Sequence, residues 1–221
     1  MTNTTHPTIT PHSTHIGADL RHADLHLADL TGCILTGADL TGADLRGANL
    51  DGASLVGATL TGADLTRSTL DGALLDGATL HRCTLTGATL KRTQACYTDF
   101  SGADLSGADL RWARLDGATL NHIAGCYSDL RWARAPRISL AWSDLTGATL
   151  RGIDLDGAGI IDTDLAGVDM MDASLDSARI IACIVDHHTD MRHVRLANAE
   201  IIDTDLADAL HCDCTDGCNP F

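Results

Sequence analysis

The chain has 221 residues, a formal net charge of −15 and only 3% aromatic residues. So few rings exclude a conventional mixed core, and the acidity disfavours nucleic acid as a direct partner. No apolar run reaches the roughly 18 residues that a membrane-spanning helix requires, so no membrane partner is expected.

Residues 1–15 are rich in Thr, His and Pro and show no apolar signal segment. They read as a disordered N-terminal tail, and the protein reads as cytoplasmic. From Leu20 a period of five sets in: Leu25, Leu30, Leu35 and onward to Val185. Of these 34 positions 26 are Leu, the rest being Ala95, Phe100, Gly125, Ala135, Ile160, Met170, Ile180 and Val185. Two residues earlier Ala stands at 21 of the 34, so the unit is A-(D/N/T/S)-L-x-x. That period fits neither an α-helix nor a flat strand. It fits a solenoid in which Leu and the small residue point inward and the other three point out. Neither a pentad nor a coil buries its own Leu, so coils must stack, with backbone pairing at about 4.8 Å.

Segments such as Ala38-Asp39-Leu40-Thr41-Gly42-Ala43-Asp44-Leu45 resemble the consensus of pentapeptide-repeat proteins, and the resemblance covers residue 18 to about 211. It implies an all-β solenoid: a right-handed quadrilateral β-helix over residues 16–211, about ten coils of four pentapeptides each. It also implies a binding scaffold that is not an enzyme and needs no cofactor. The best-characterised members of that family are acidic rods that mimic duplex DNA. They bind DNA gyrase or topoisomerase IV and protect them from quinolones or natural toxins. An acidic rod with ladders of Asp is consistent with that role here.

A coil of 20 residues turns the sequence into a surface map. One face gathers Lys91, Arg92, Arg111-Trp112-Ala113-Arg114, Arg131-Trp132-Ala133-Arg134 and Arg151. The opposite face gathers Asp24, Asp44, Asp64, Asp104, Asp144 and Asp164. The rod is therefore expected to be electrically polarised across its width. Candidate partner-binding residues are Asp24, Asp44, Asp64 and Asp104 on one side and Arg111, Trp112, Arg131 and Trp132 on the other. The Arg/Trp face reads either as a dock for an anion or acidic partner, or as Arg stems covering exposed rings. Two Cys-Tyr-(Thr/Ser)-Asp segments, Cys96 to Asp99 and Cys126 to Asp129, break the Gly-rich consensus and read as local loops or a tapering coil. Ala135-Pro136-Arg137 reads as another irregular corner.

After Val185 the inward series resumes one residue late, at Met191, Leu196, Ile201 and Leu206. The segment Ile160 to Leu165 recurs at Ile201 to Leu206, 41 residues on, which is two coils plus one residue. The insertion falls within Asp186 to Asp190. Ile161, Ile181 and Ile202 then stack outward as an apolar stripe. The stripe marks a homodimer seam, a partner site, or the bed of the C-terminal tail.

Cys33, Cys83 and Cys183 take the small inward position and should be buried, reduced thiols. Residues 212–221 leave the repeat as a Cys-rich tail. His211, Cys212, Cys214 and Cys218 concentrate ligand chemistry there for a metal or for enzymatic modification, although C-x-C-x3-C matches no standard zinc finger. His187, His188 and His193 at the slip are possible helpers in metal binding, but a solvated bulge is the simpler reading. The second functional reading is thus a rigid scaffold, or the leader of a ribosomal precursor, displaying its tail to a modifying enzyme. The Asp residues follow the repeat spacing and so do not point to acid/base chemistry.

Overall fold

The computed structural model describes residues 9–207 and residue 209. The local unit is a tight turn at every pentad. In Leu40-Thr41-Gly42-Ala43 the Ala43 N–H donates to the Leu40 carbonyl at 3.0 Å. Gly42 lies at φ +64°, the left-handed conformation that the third residue of a type II turn requires. The backbone groups left over pair between coils. Leu40 N–H donates to Thr59 O at 2.7 Å, and Gly42 N–H donates to Thr61 O at 2.9 Å.

These bonds set the register. Asp24 bridges Asp44 and Asp44 bridges Asp64, in parallel and 20 residues apart, and this step holds up to the bridge from Asp164 to Ile184. Four turns therefore close one coil, and each coil has four sides. We number the sides by their inward residues: the first carries Leu20 and Leu40, the second Leu25 and Leu45, the third Leu30 and Leu50, the fourth Leu35 and Leu55. Among the described residues only the first side lengthens into strands: β1 (Ser139–Ala141), β2 (Gly159–Ile161), β3 (Arg179–Ile181) and β4 (Glu200–Ile202). They form one parallel sheet in the order β1-β2-β3-β4. None of the described residues is helical, so no helix is long and apolar enough to cross a membrane.

The interior is a continuous stack of Leu and Ala from Leu20 to Cys183. Where the small position is polar, its hydroxyl finds a carbonyl. Ser68 Oγ donates to Leu65 O at 2.8 Å, and Thr98 Oγ1 donates to Leu75 O at 2.7 Å. Among the described residues no buried side-chain N or O is without a partner, as the cost of an orphaned buried group demands.

Four sequence expectations change at this level. The coil begins before residue 16: Thr14 bridges Ile34, and His12 N–H donates to Thr31 O at 2.8 Å. Ser13-Thr14-His15 is a repeat in disguise, with Ser13 in the small position and His15 in place of Leu. Its Ser13 Oγ lies 2.8 Å from His15 Nε2. The Cys-Tyr segments are regular corners and not loops; Tyr97 and Tyr127 both lie at φ +57° in the turn. The coil does not taper at Gly125 either. Ile123 fills the small position beside it, so large and small residues have exchanged places, and a Cβ on Gly125 would fall 2.7 Å from Leu145 Cδ2. Pro136 is also regular: it precedes a left-handed Arg137, φ +57°, at the turn position that Pro favours.

The phase slip is visible in the pairing. Asp164 bridges Ile184 at a step of 20, whereas Asp169 bridges Asp190 at a step of 21. The extra residue is taken up at Asp186, whose Oδ1 accepts the Gly167 N–H at 2.9 Å. At the coil below, the equivalent Gly147 N–H goes to a backbone carbonyl, that of Ala166. A side chain thus replaces the carbonyl that the insertion displaces.

Candidate interaction surface

The Asp ladder of the second side is first of all a set of turn locks. Each Asp accepts, on Oδ1, the backbone N–H two residues on: Asp24 from His26, Asp44 from Arg46, Asp64 from Thr66, Asp104 from Ser106, Asp144 from Thr146 and Asp164 from Ala166, at 2.9–3.3 Å. Such Asx turns explain why Asp, Asn, Thr and Ser alternate at this position. Hydrogen bonds from Arg46 hold the Asp44 carboxyl down at about 2. Arg46 also lies 3.8 Å from Asp64. Asp24, Asp104, Asp144 and Asp164 have no Lys or Arg partner within ion-pair distance among the described residues.

The Arg/Trp face is built on the corner between the third and fourth sides. There Arg111 grips Asp109 through Nε at 2.9 Å and Nη2 at 2.7 Å, and Arg131 grips Asp129 at the same distances. Arg111 also reaches Asp129 at 3.6 Å, and Lys91 reaches both Asp71 and Asp109. Arg114 and Arg134 share Asp116 on the fourth side, at 3.8 and 2.8 Å. The hydrogen bond that Arg111 donates to Asp109 pushes its guanidinium above the ordinary range, and the bond to Asp129 does the same to Arg131. The expected polarisation is therefore much weaker than the stacking of basic residues suggests. The cations sit in a mesh of carboxylates because the pentad places Asp two residues before Arg.

The aromatic residues stand apart from this mesh. Trp112, Trp132, Trp142, Tyr97 and Tyr127 are all exposed and all occupy the left-handed corner position, at φ +53° to +60°. They comprise every Trp and Tyr of the chain. A left-handed bulky residue is strained, so turn geometry does not select these side chains. Three of them lean onto the corner one coil later. Tyr97 lies over Gly117, Tyr127 over Gly147 and Trp132 over Gly152, where a Cβ would fall 2.1–2.8 Å from ring carbons. His122 stacks on Trp142 with ring centroids 5.0 Å apart. Arg92 and Arg111 approach the Trp112 ring, 5.5 and 5.4 Å from its centroid. Trp112 and Trp132 share one corner, so that corner carries two indoles flanked by guanidinium groups. The sequence singled out these two; it left Tyr97, Tyr127 and Trp142 unassigned, although each stands at the Gly position of its pentad.

The Ile register is direct: Ile161 pairs with Ile181 and Ile181 with Ile202. Ile161 and Ile181 are half-buried, while Ile202 and Ile201 are each 40% exposed. Cys33, Cys83 and Cys183 are buried free thiols. Burial pushes Cys83 up to about 12, and Cys183 upward too. His211, Cys212, Cys214 and Cys218 lie outside the described residues, and so does the whole tail reading.

Locked turns, coil-to-coil pairing and a solvent face carried by corner side chains define a solenoid scaffold of one particular kind. The chain belongs to the pentapeptide-repeat family, whose model of pentapeptide repeats matches residues 16–52, 53–92, 83–121 and 127–159. It is similar to the structure of HetL, a pentapeptide repeat protein involved in heterocyst differentiation regulation from the cyanobacterium Nostoc. The two are 28% identical over 89% of this chain and 88% of that one, with a TM-score of 0.67. It is also similar to a trypsin-treated form of QnrB1, a plasmid-mediated fluoroquinolone resistance protein. That likeness covers 86% of this chain and 90% of that one, at 16% identity and a TM-score of 0.52, and shows the fold alone. No curated protein matches the chain.

Proposed function

We propose that this protein is a non-enzymatic scaffold that binds a protein partner, with a right-handed coil of about ten turns as its frame. The observation that carries the reading is the placement of Trp112 and Trp132. Two exposed indoles, at 45% and 51% exposure, occupy one corner where the turn favours Gly. Left-handed non-Gly corners recur along the coil; what sets this corner apart is two exposed indoles, side chains that docking surfaces concentrate. The paired Arg111 and Arg131 fix the rim of that corner. The likeness to HetL, a protein involved in regulating differentiation, agrees with a binding role.

The test exploits the repeat itself. Trp112→Gly with Trp132→Gly returns both turns to consensus, so the fold should keep its melting temperature or gain. Tagged wild-type protein should capture a defined partner from host extract, and the double variant should lose it. Equal capture by both proteins would remove this corner from the interface.

A second reading is favoured by Asp24, Asp104, Asp144 and Asp164, which lie on the second side with no Lys or Arg within ion-pair distance among the described residues. On that reading the second side is offered to DNA gyrase or topoisomerase IV in place of DNA. At a net charge of −15 the rod carries about one net charge per 3 Å of axis, against one per roughly 1.7 Å in duplex DNA. The mimicry is therefore about half strength, which places this reading second. It expects inhibition of supercoiling or relief of quinolone poisoning, weakened by salt and by Asp104→Asn with Asp144→Asn. Supercoiling untouched at micromolar protein would sink it.

A further inference from the structure

We propose that the phase slip forms a binding site for a divalent transition-metal ion, with Asp186, His187 and His188 as its ligands. The three residues each offer one donor atom, and those atoms all lie within 4.8 Å of one another. Bonds of about 2.1 Å from imidazole and carboxylate to such an ion bring ligands to that kind of separation after small torsional changes. The two imidazoles already lie close, with ring centroids 3.8 Å apart and planes tilted by 43°.

The carboxylate is held in advance. Asp186 Oδ1 accepts the Gly167 N–H at 2.9 Å and the His188 N–H at 3.0 Å. Thr189 Oγ1 lies 3.1 Å away; its one proton serves either Asp186 or Leu165 O, at 2.9 Å. Asp186 is thus fixed through one oxygen, which leaves Oδ2 for an ion. Orientation of a ligand by hydrogen bonds behind it is the usual support of a metal site.

The insertion supplies what the other corners lack. At a regular corner two residues make the turn, and where the second is bulky, as at Tyr97 or Trp132, it leans onto the next coil. At the slip the turn moves to His187 and His188, and Asp186 becomes a third residue beside them. Both His side chains are exposed, so packing does not explain them. Two imidazoles and one carboxylate suit Zn²⁺, Ni²⁺, Co²⁺ or Cu²⁺, whereas Mg²⁺ and Ca²⁺ prefer oxygen-only sets. Three protein ligands leave the remaining positions to water. An ion here would tie the turn that bridges the 20-residue register below to the shifted register above, and so steady the last coils.

Co²⁺ is the probe, because its absorption reports its ligands. Full-length protein should bind one Co²⁺ without thiolate-to-metal charge-transfer bands, and Zn²⁺ should displace it. The same binding should survive in the full-length variant Cys212→Ser/Cys214→Ser/Cys218→Ser, which removes the thiols of the tail. His187→Ala and His188→Ala should each weaken binding at least as much as loss of an outer-sphere partner does, about 10- to 100-fold. Asp186→Asn keeps an acceptor for Gly167, so it should weaken the ion while sparing the bend. Melting of each variant without metal checks the fold independently. Unchanged Co²⁺ affinity in His187→Ala/His188→Ala overturns the proposal. So does binding that disappears in the triple Ser variant, since the ion would then belong to the tail.

Discussion

Replacing Gly152 by Ala tests the leaning of corner side chains more directly than any loss of contact. Gly152 lies at φ +67°, and a Cβ there would sit 2.1 Å from Trp132 Cζ3 and 2.2 Å from Cε3. The substitution has two costs. A left-handed non-Gly residue is strained by about 1–2 kcal/mol. The indole must also swing off the corner, re-exposing the buried half of a ring that removes roughly 100 Å² from water, worth about 1–2 kcal/mol after partial re-packing. Gly62→Ala isolates the first cost: φ there is +66° and nothing lies within 4 Å. The expected loss of stability is thus about 1–2 kcal/mol at Gly62 and about 2–4 kcal/mol at Gly152. Denaturant unfolding followed by far-UV dichroism measures both, and the Trp132 emission should shift to the red only in Gly152→Ala. In Trp132→Gly/Gly152→Ala the excess should vanish, leaving the Gly62 value. Equal losses at Gly62 and Gly152, with no coupling to Trp132, would refute the idea that corner side chains lean onto the next glycine.

Thiol labelling should sort cysteines by depth. Cys83, buried and pushed up to about 12, should resist native alkylation over the time that half-exposed Cys96 and Cys126 react, as read by peptide mass spectrometry; rapid Cys83 labelling in folded protein would contradict its placement. Acid should unlock the turns. Asp44, Asp144 and Asp190 hold lowered pKa values through hydrogen bonds from Arg46, Thr146 and Arg192. Their contribution is complete above the unfolded value near 4 and is lost as pH falls through the folded values, so melting temperature should drop between about pH 4 and pH 2. A melting temperature that holds or rises across that window would count against the Asx locks.

The period of Leu and the small residue two before it carried the interior, because an inward position admits few side chains. The slip was legible for the same reason: Ile160 to Leu165 and Ile201 to Leu206 are the same six residues, and β2 and β4 each end on the first two residues of a copy. The outer surface was less legible. Stacking by 20 found the Arg111–Arg131 column but not its neutralisation, which lies inside single pentads as Asp109-Leu110-Arg111 and Asp129-Leu130-Arg131. That short spacing was present in the sequence and marks an ion pair wherever a turn brings residues two apart together. Ser13-Thr14-His15 was missed because a His stands where Leu does elsewhere. Tyr97 and Tyr127 suggested loops because a bulky residue at a Gly position usually breaks a turn; here Gly117 and Gly147, one coil later, make the room.

The leaning of bulky corner residues onto the coil ahead gives the chain two units of inheritance. Loss or gain of a single pentad would leave every leucine inside, and the core would not register the event. Yet each corner beyond it would turn by one side, and every bulky residue would meet a new neighbour: His122 would no longer find Trp142, nor Arg92 find Trp112. Loss or gain of four pentads keeps all columns in line. Length is therefore free to drift in steps of five residues as far as folding is concerned, but a surface that has acquired a partner can change length only in steps of twenty. The one-residue insertion at Asp186 fits this rule by its exception, for the bend absorbs it and Ile202 still stands over Ile181.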